Sequence, residues 1–155
     1  MSAHDLVIRN ASVVDGTGAP ARIADVAVSD GVITEVGPRL TGTGTREIDA
    51  DGLTVTPGFV DIHTHFDGQA TWDPILAPSS IHGVTSIVMG NCGVGFAPAR
   101  PTPEQHAWLI GMLEGVEDIP GTALAEGLAW DWETFPDYMN ALDRREYAID
   151  VATQV

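Results

Sequence analysis

The sequence predicts an α/β chain in two parts. Residues 1–56 form a small β-sandwich-type module, and residues 57–155 form the first βα units of an incomplete TIM-like (β/α)8 barrel. Three observations carry this reading. Residues 5–56 hold β-rich runs with turn signals and no helical period. From Pro57 the pattern changes to strand, helix, strand, helix, strand, the order of a parallel sheet. The stretch PGFVDIHTHFD (57–67) alternates at period 2, with Phe59, Asp61, His63 and His65 on one face and Val60, Ile62, Thr64 and Phe66 on the other. Its apolar face needs a cover of its own, as in a barrel strand with helices outside and a filled interior.

Along the β-rich part, DLVIRNASVVD reads as a strand pair or one bent strand, with His4 in a frayed end just before it. IADVAVSDGVITEVG carries Ser29-Asp30-Gly31 between two β-rich runs, a hairpin signal. TREIDADGLTVTPG repeats the device at Asp51-Gly52, so the module is expected to be mostly antiparallel. LTGTGT is a loop.

In the second part the first strand runs through the two histidines. Pro78-Ser79-Ser80 opens a short helix that ends near Gly83, and TSIVMGNCG is a second buried strand closing in a glycine-flanked turn. Thr102 is an N-cap, Pro103 the first helical residue, and Gln105 completes a capping box for a helix through HAWLIGMLEGV. EDIPGTALAEGLAWDWETF is a loop with a short helical piece. FPDYMNALDRRE is an amphipathic helix with Tyr138, Met139 and Leu142 on its apolar side, and YAIDVATQV is a third strand. A complete barrel needs about 250 residues, so only part of one fits here.

The net charge of −15 argues against nucleic acid or an anionic membrane as partner, both of which want basic patches. Cys92, the one cysteine, excludes an intramolecular disulfide and fits a reducing compartment or a free thiol with a task of its own. There is neither a secretory leader pattern nor an apolar window of about 18 residues, so a cytoplasmic protein is expected.

The chemistry-bearing residues are His63, His65 and Cys92. Histidines two apart on a strand stand roughly 7 Å from one another and can converge on one ion. Cys92 in GNCG closes the second strand, and in a parallel barrel the ends of the first two strands are neighbours. Thiolate is a strong zinc ligand; a buried small hydrophobe, or a nucleophile activated by His63 or His65, are the other readings of a lone cysteine. Asp61, on the histidine face, could orient a ligand imidazole from behind, with packing or a strand-start hydrogen bond as the alternative.

VTPGFVDIHTHFDGQATWDP, HGVTSIVMGNCGVGFAPARP and VEDIPGTALAEGLAWDWETFPDYMNAL together resemble the metal-dependent amidohydrolase superfamily, and within it the N-acyl-D-amino-acid deacylases (D-aminoacylases). The likeness spans essentially the whole chain. It implies that His63 and His65 bind one metal position, and that Cys92 ligates zinc and bridges to a second position where two ions are held. It also implies hydrolysis of the amide of a small N-acyl-D-amino acid. Two further histidines, the catalytic aspartate and the groups that hold the substrate carboxylate would lie downstream of this sequence. No catalytic residue is therefore expected within it, and the 155-residue chain alone is expected to be inactive and in need of the remainder of the barrel. The alternatives are a cysteine-nucleophile hydrolase using Cys92, or a non-catalytic truncated or split chain.

Other residues read as structure. Asp67 is in phase with the histidines but beyond the expected strand end. His82 is helix-terminal, His106 is solvated surface, and Glu117-Asp118 is a loop charge pair. Trp72, Trp108, Trp130 and Trp132 are packing anchors.

Overall fold

A computed structural model describes residues Ala3 to Gln154, and Val155, the last residue of the predicted third strand, lies outside them. The chain divides into two compact units, one ending at Pro57 and the other beginning at Gly58.

In the first unit, β1 (Ala3–Val13), β2 (Arg22–Ser29), β3 (Val32–Gly37), β4 (Thr43–Asp49) and β5 (Thr54–Val55) form one five-stranded sheet. The β-sandwich-type module is realised among the described residues as this single sheet, in the order β3-β2-β1-β4 with β5 also on β1. Asp30 and Gly31 take φ of +52° and +74°, the paired left-handed geometry of a tight hairpin turn, and they join β2 to β3 as expected. The Asp51-Gly52 turn does something else. β4 and β5 both run parallel to β1, so the unit is mixed rather than mostly antiparallel. The break between β4 and β5 lies opposite a bend in β1, whose register against β2 shifts between Ile8 and Ala11, with Asn10 at φ +59°. The interruption divides the β1 edge. β4 pairs along Ala3–Arg9, Leu53 N–H closes the turn on Ala50 O at 2.9 Å, and β5 resumes at Ser12 and Val13. DLVIRNASVVD is thus one bent strand. His4 is no frayed end: it is buried in β1, with Nδ1 3.0 Å from Ser29 Oγ.

In the second unit, β6 (Phe59–Asp61), β7 (Val84–Met89) and β8 (Asp150–Thr153) form an all-parallel sheet with β7 in the middle. α1 (Pro103–Glu117), α2 (Gly121–Gly127) and α3 (Phe135–Asp143) separate β7 from β8. One core joins Ile87 and Met89 of β7 to Leu109 and Leu113 of α1, Leu124 of α2, and Tyr138 and Leu142 of α3. Met139, placed on the apolar side of its helix by the sequence, is 39% exposed, and Ala141 is buried instead. The α1 capping box is half made: Thr102 accepts from Gln105 N–H, but no return bond forms. The full box is at α3, where Thr134 and Asp137 bond each other's backbone N–H groups.

The first parallel strand is shorter than its alternation predicts. It ends at Asp61, because Asp61 Oδ1 accepts the backbone N–H of His63 at 3.2 Å and turns the chain off the ladder. Both histidines therefore lie just past the strand. Val60 and Ile62 are 60% and 71% exposed, whereas Thr64 is buried and Phe66 packs on the core, so the apolar face is covered over its second half and open over its first.

Replacing Thr134 by Ala removes the α3 box and is expected to cost about 1 kcal/mol. Urea unfolding checks this; an unchanged midpoint would mean that α3 is held by packing alone.

Candidate metal centre

The site stands where the chain leaves β6 and β7. Thr64, the middle residue of His63-Thr64-His65, is buried, and its N–H and hydroxyl both reach Val88 O, at 3.0 and 2.9 Å. Asn91 is buried on the other side of the same carbonyl. Its Nδ2 donates to Val88 O at 2.8 Å and to Thr64 O at 3.2 Å, while its Oδ1 accepts from Gln154 Nε2 at 3.2 Å. With Thr64 and Asn91 turned inward, their chain neighbours His63, His65 and Cys92 turn outward together. His63 and Cys92 are exposed and His65 is partly buried.

The turn that carries Cys92 is tight. Gly90, Cys92 and Gly93 take φ of +78°, +60° and +70°. Gly90 is required for space as well as for φ, since a Cβ there would come 2.7 Å from Gln154 O. The outcome is a three-donor cluster. Cys92 Sγ lies 3.5 Å from Nε2 of His63 and 3.5 Å from Nε2 of His65. Ligands of one tetrahedral zinc, with bonds of about 2.3 Å to sulfur and 2.0–2.1 Å to nitrogen, stand about 3.6 Å apart. Two imidazoles and a cysteine sulfur at this separation match the donor set and spacing of a zinc site. Asp61 meets the backbone of His63 and makes no hydrogen bond to an imidazole among those of the described residues, so strand-end hydrogen bonding is what it does.

Two residues that the sequence reading sets aside lie against the site. Asp67 is 2% exposed, and its Oδ2 accepts from Gly90 N–H at 3.1 Å, tying the histidine segment to the cysteine turn. Glu117 is not in a loop: it is the last residue of α1, 9% exposed, with Oε2 accepting from Gly68 N–H at 3.1 Å. A ring nitrogen of His65 and one carboxylate oxygen from each of Asp67 and Glu117 lie within 4.8 Å of one another. Burial, and then the charge of Asp67, push the Glu117 carboxyl up to about 8. Burial also raises Asp67, against the opposing hydrogen bond from Gly90. The Tyr138 hydroxyl donates to Asp67 O at 2.7 Å, so α3 braces the same segment. The phase of Asp67 with His63 and His65 was a signal for it; nothing local in the sequence marks Glu117. His106 is likewise not solvated surface: its ring stacks on Trp130 with centroids 3.9 Å apart, and its Nε2 is buried.

Residues 46–154 match the model of the amidohydrolase family. The chain is 36% identical to the N-acyl-D-aspartate deacylase of Alcaligenes xylosoxydans xylosoxydans, over 95% of this chain and 27% of that protein. It resembles the solved N-acyl-D-glutamate deacylase of Bordetella bronchiseptica, a complex with zinc and a phosphonate inhibitor, at TM-score 0.77 and 34% identity over 99% of this chain and 30% of that one. It also resembles a D-aminoacylase described as having a binuclear metal centre, at TM-score 0.75 and 33% identity over 98% of this chain and 29% of that one. The chain thus spans under a third of the length of these relatives.

The buried carboxyl of Glu117 sets a pH dependence. Its folded value, about 8, lies above the ordinary 4.5, so the folded state keeps the proton longer than the unfolded state. That contribution to stability is complete below about pH 4.5 and is lost as pH rises to about 8. Chemical denaturation at pH 5 and pH 8 is expected to show wild type weakening across this interval and Glu117→Gln weakening less. Equal slopes for the two proteins would contradict the assignment.

Proposed function

This chain belongs to the amidohydrolase family, and from that premise we propose that it carries the N-terminal metal ligands of a zinc-dependent enzyme hydrolysing the amide of N-acyl-D-amino acids. The observation that supports this most is the convergence of His63 Nε2, His65 Nε2 and Cys92 Sγ at the ends of two parallel strands. These three would hold zinc, as one ion or two. Bound there, zinc supplies a Lewis acid for the amide carbonyl.

The chain's own residues do the rest of what it contributes. His63 and His65 each offer an imidazole nitrogen and Cys92 offers a sulfur, and a metal takes these donors as lone pairs. Thr64 and Asn91 fix all three against Val88 O, so little reorganisation is needed when the site is filled. The exposure of His63 and Cys92 leaves a small substrate free to approach. Substrate binding and proton transfer to the leaving amine belong, on this reading, to the remainder of a longer barrel. The 155 residues by themselves are then inactive, and the working enzyme is cytoplasmic, with neither nucleic acid nor membrane as partner.

A cysteine-nucleophile reading draws support from the 3.5 Å contact between Cys92 and an imidazole. The matching contact from the second imidazole favours metal ligation, since a thiol nucleophile needs one base and not two. The experiment uses the intact protein and follows release of free D-amino acid from N-acetyl-D-amino acids. Activity is expected to vanish on chelation, to return with zinc, and to fall at least ~100-fold in Cys92→Ala, beyond the 10–100-fold typical of a residue behind a ligand. Full turnover after chelation, with inactivation by alkylation, would establish the nucleophile reading instead.

A further inference from the structure

Two buried polar atoms in one cluster lack a hydrogen-bond partner: Nδ1 of His65 and Oε1 of Glu117. Each supplies what the other needs, an N–H donor for one and a carboxylate acceptor for the other. The Asp67 carboxylate is the rival acceptor in the same cluster, and it would hold the same tautomer whatever stands at position 117. Nε2 of His65 is directed to Cys92 Sγ, Oε2 of Glu117 is taken by Gly68 N–H, and Oδ2 of Asp67 is taken by Gly90 N–H. We infer that Glu117, in its ionised form, is a positioning residue for His65: its free oxygen accepts the Nδ1–H of the imidazole, which leaves the Nε2 lone pair facing His63 and Cys92. The purpose of this arrangement rests on the metal-centre reading, but the tautomer it fixes is a property of the metal-free protein.

An imidazole has one proton to place when neutral, so a donor or acceptor behind Nδ1 decides what Nε2 can do. A carboxylate behind Nδ1 keeps Nε2 free to ligate; an N–H group there would force the proton onto Nε2 and close the ligand position. Glu117 can hold this post because it is anchored on both sides. It ends α1, whose Leu109 and Leu113 are buried in the core, and it is fixed to the histidine segment through Gly68. Asp67 completes the setting by linking that segment to the cysteine turn.

Glu117→Gln tests this without changing shape. Gly68 N–H still needs an acceptor, so the amide oxygen stays on Gly68 and the amide NH2 falls where the free oxygen was. The readout is the 15N spectrum of histidine-labelled intact protein without metal, with His65 assigned by the loss of its signals in His65→Asn. The spectra are recorded at alkaline pH, where an ionised carboxylate can only accept. Wild type is expected to show His65 protonated at Nδ1, and Glu117→Gln at Nε2. A wild-type His65 protonated at Nε2, or one tautomer shared by both proteins, overturns the inference. Zinc titration separates this from the metal-centre reading. No zinc binding by wild type sinks that reading whatever the tautomer. Zinc affinity ~10–100-fold weaker in Glu117→Gln is the expected result, and unchanged affinity overturns the positioning role.

Discussion

One carbonyl oxygen, that of Val88, holds the site together. It accepts from Thr64 N–H, from the Thr64 hydroxyl and from Asn91 Nδ2, all within 3.0 Å. A carbonyl has two lone pairs, so three donors saturate it and leave no place for water. The geometric effect matters more than the energy. Thr64 and Asn91 are chain neighbours of the three outward-facing donors, so fixing these two side chains on one atom fixes the angles at which His63, His65 and Cys92 emerge. A parallel sheet supplies this for little, because the ends of β6 and β7 are already adjacent.

Behind that layer the polar network continues into the core. Asp67 meets Gly90, Glu117 meets Gly68, and Tyr138 and Tyr147 donate to the carbonyls of Asp67 and Ala70. The helices thus cover the sheet and also brace the loop that carries the histidines. Burial of carboxyl groups is costly unless their oxygens are bonded. Asp67 and Glu117 each obtain a backbone N–H, and what they give up in hydration is regained as a rigid backing for the site.

How much of this could be read in the sequence depended on how local each cause is. Period-2 alternation placed His63 and His65 together, and a glycine-flanked cysteine at a strand end placed Cys92 beside them. Those signals are short-range and strong. The end of the first parallel strand at Asp61 was missed because an aspartate that bonds a backbone N–H two residues on competes with the ladder, and alternation does not register that competition. The parallel pairing of β4 and β5 was missed because a turn signal gives the tightness of a bend and not the partner that follows it. Glu117 was read as half of a solvated charge pair because its meaning depends on Gly68, which is remote in the chain. His4 went astray for the same reason, its partner Ser29 lying on another strand.

Cys92 sits at φ +60°, a region where a residue with a Cβ pays roughly 1 kcal/mol or more and where glycine or asparagine would be at ease. In that conformation the sulfur stands 3.5 Å from both imidazoles. If Cys92 serves as the proposed ligand, folding and function are in opposition at a single codon. A search for hardier variants that scored only thermal resistance would drift toward losing the thiol, and the proteins it enriched would be better folded and chemically blank.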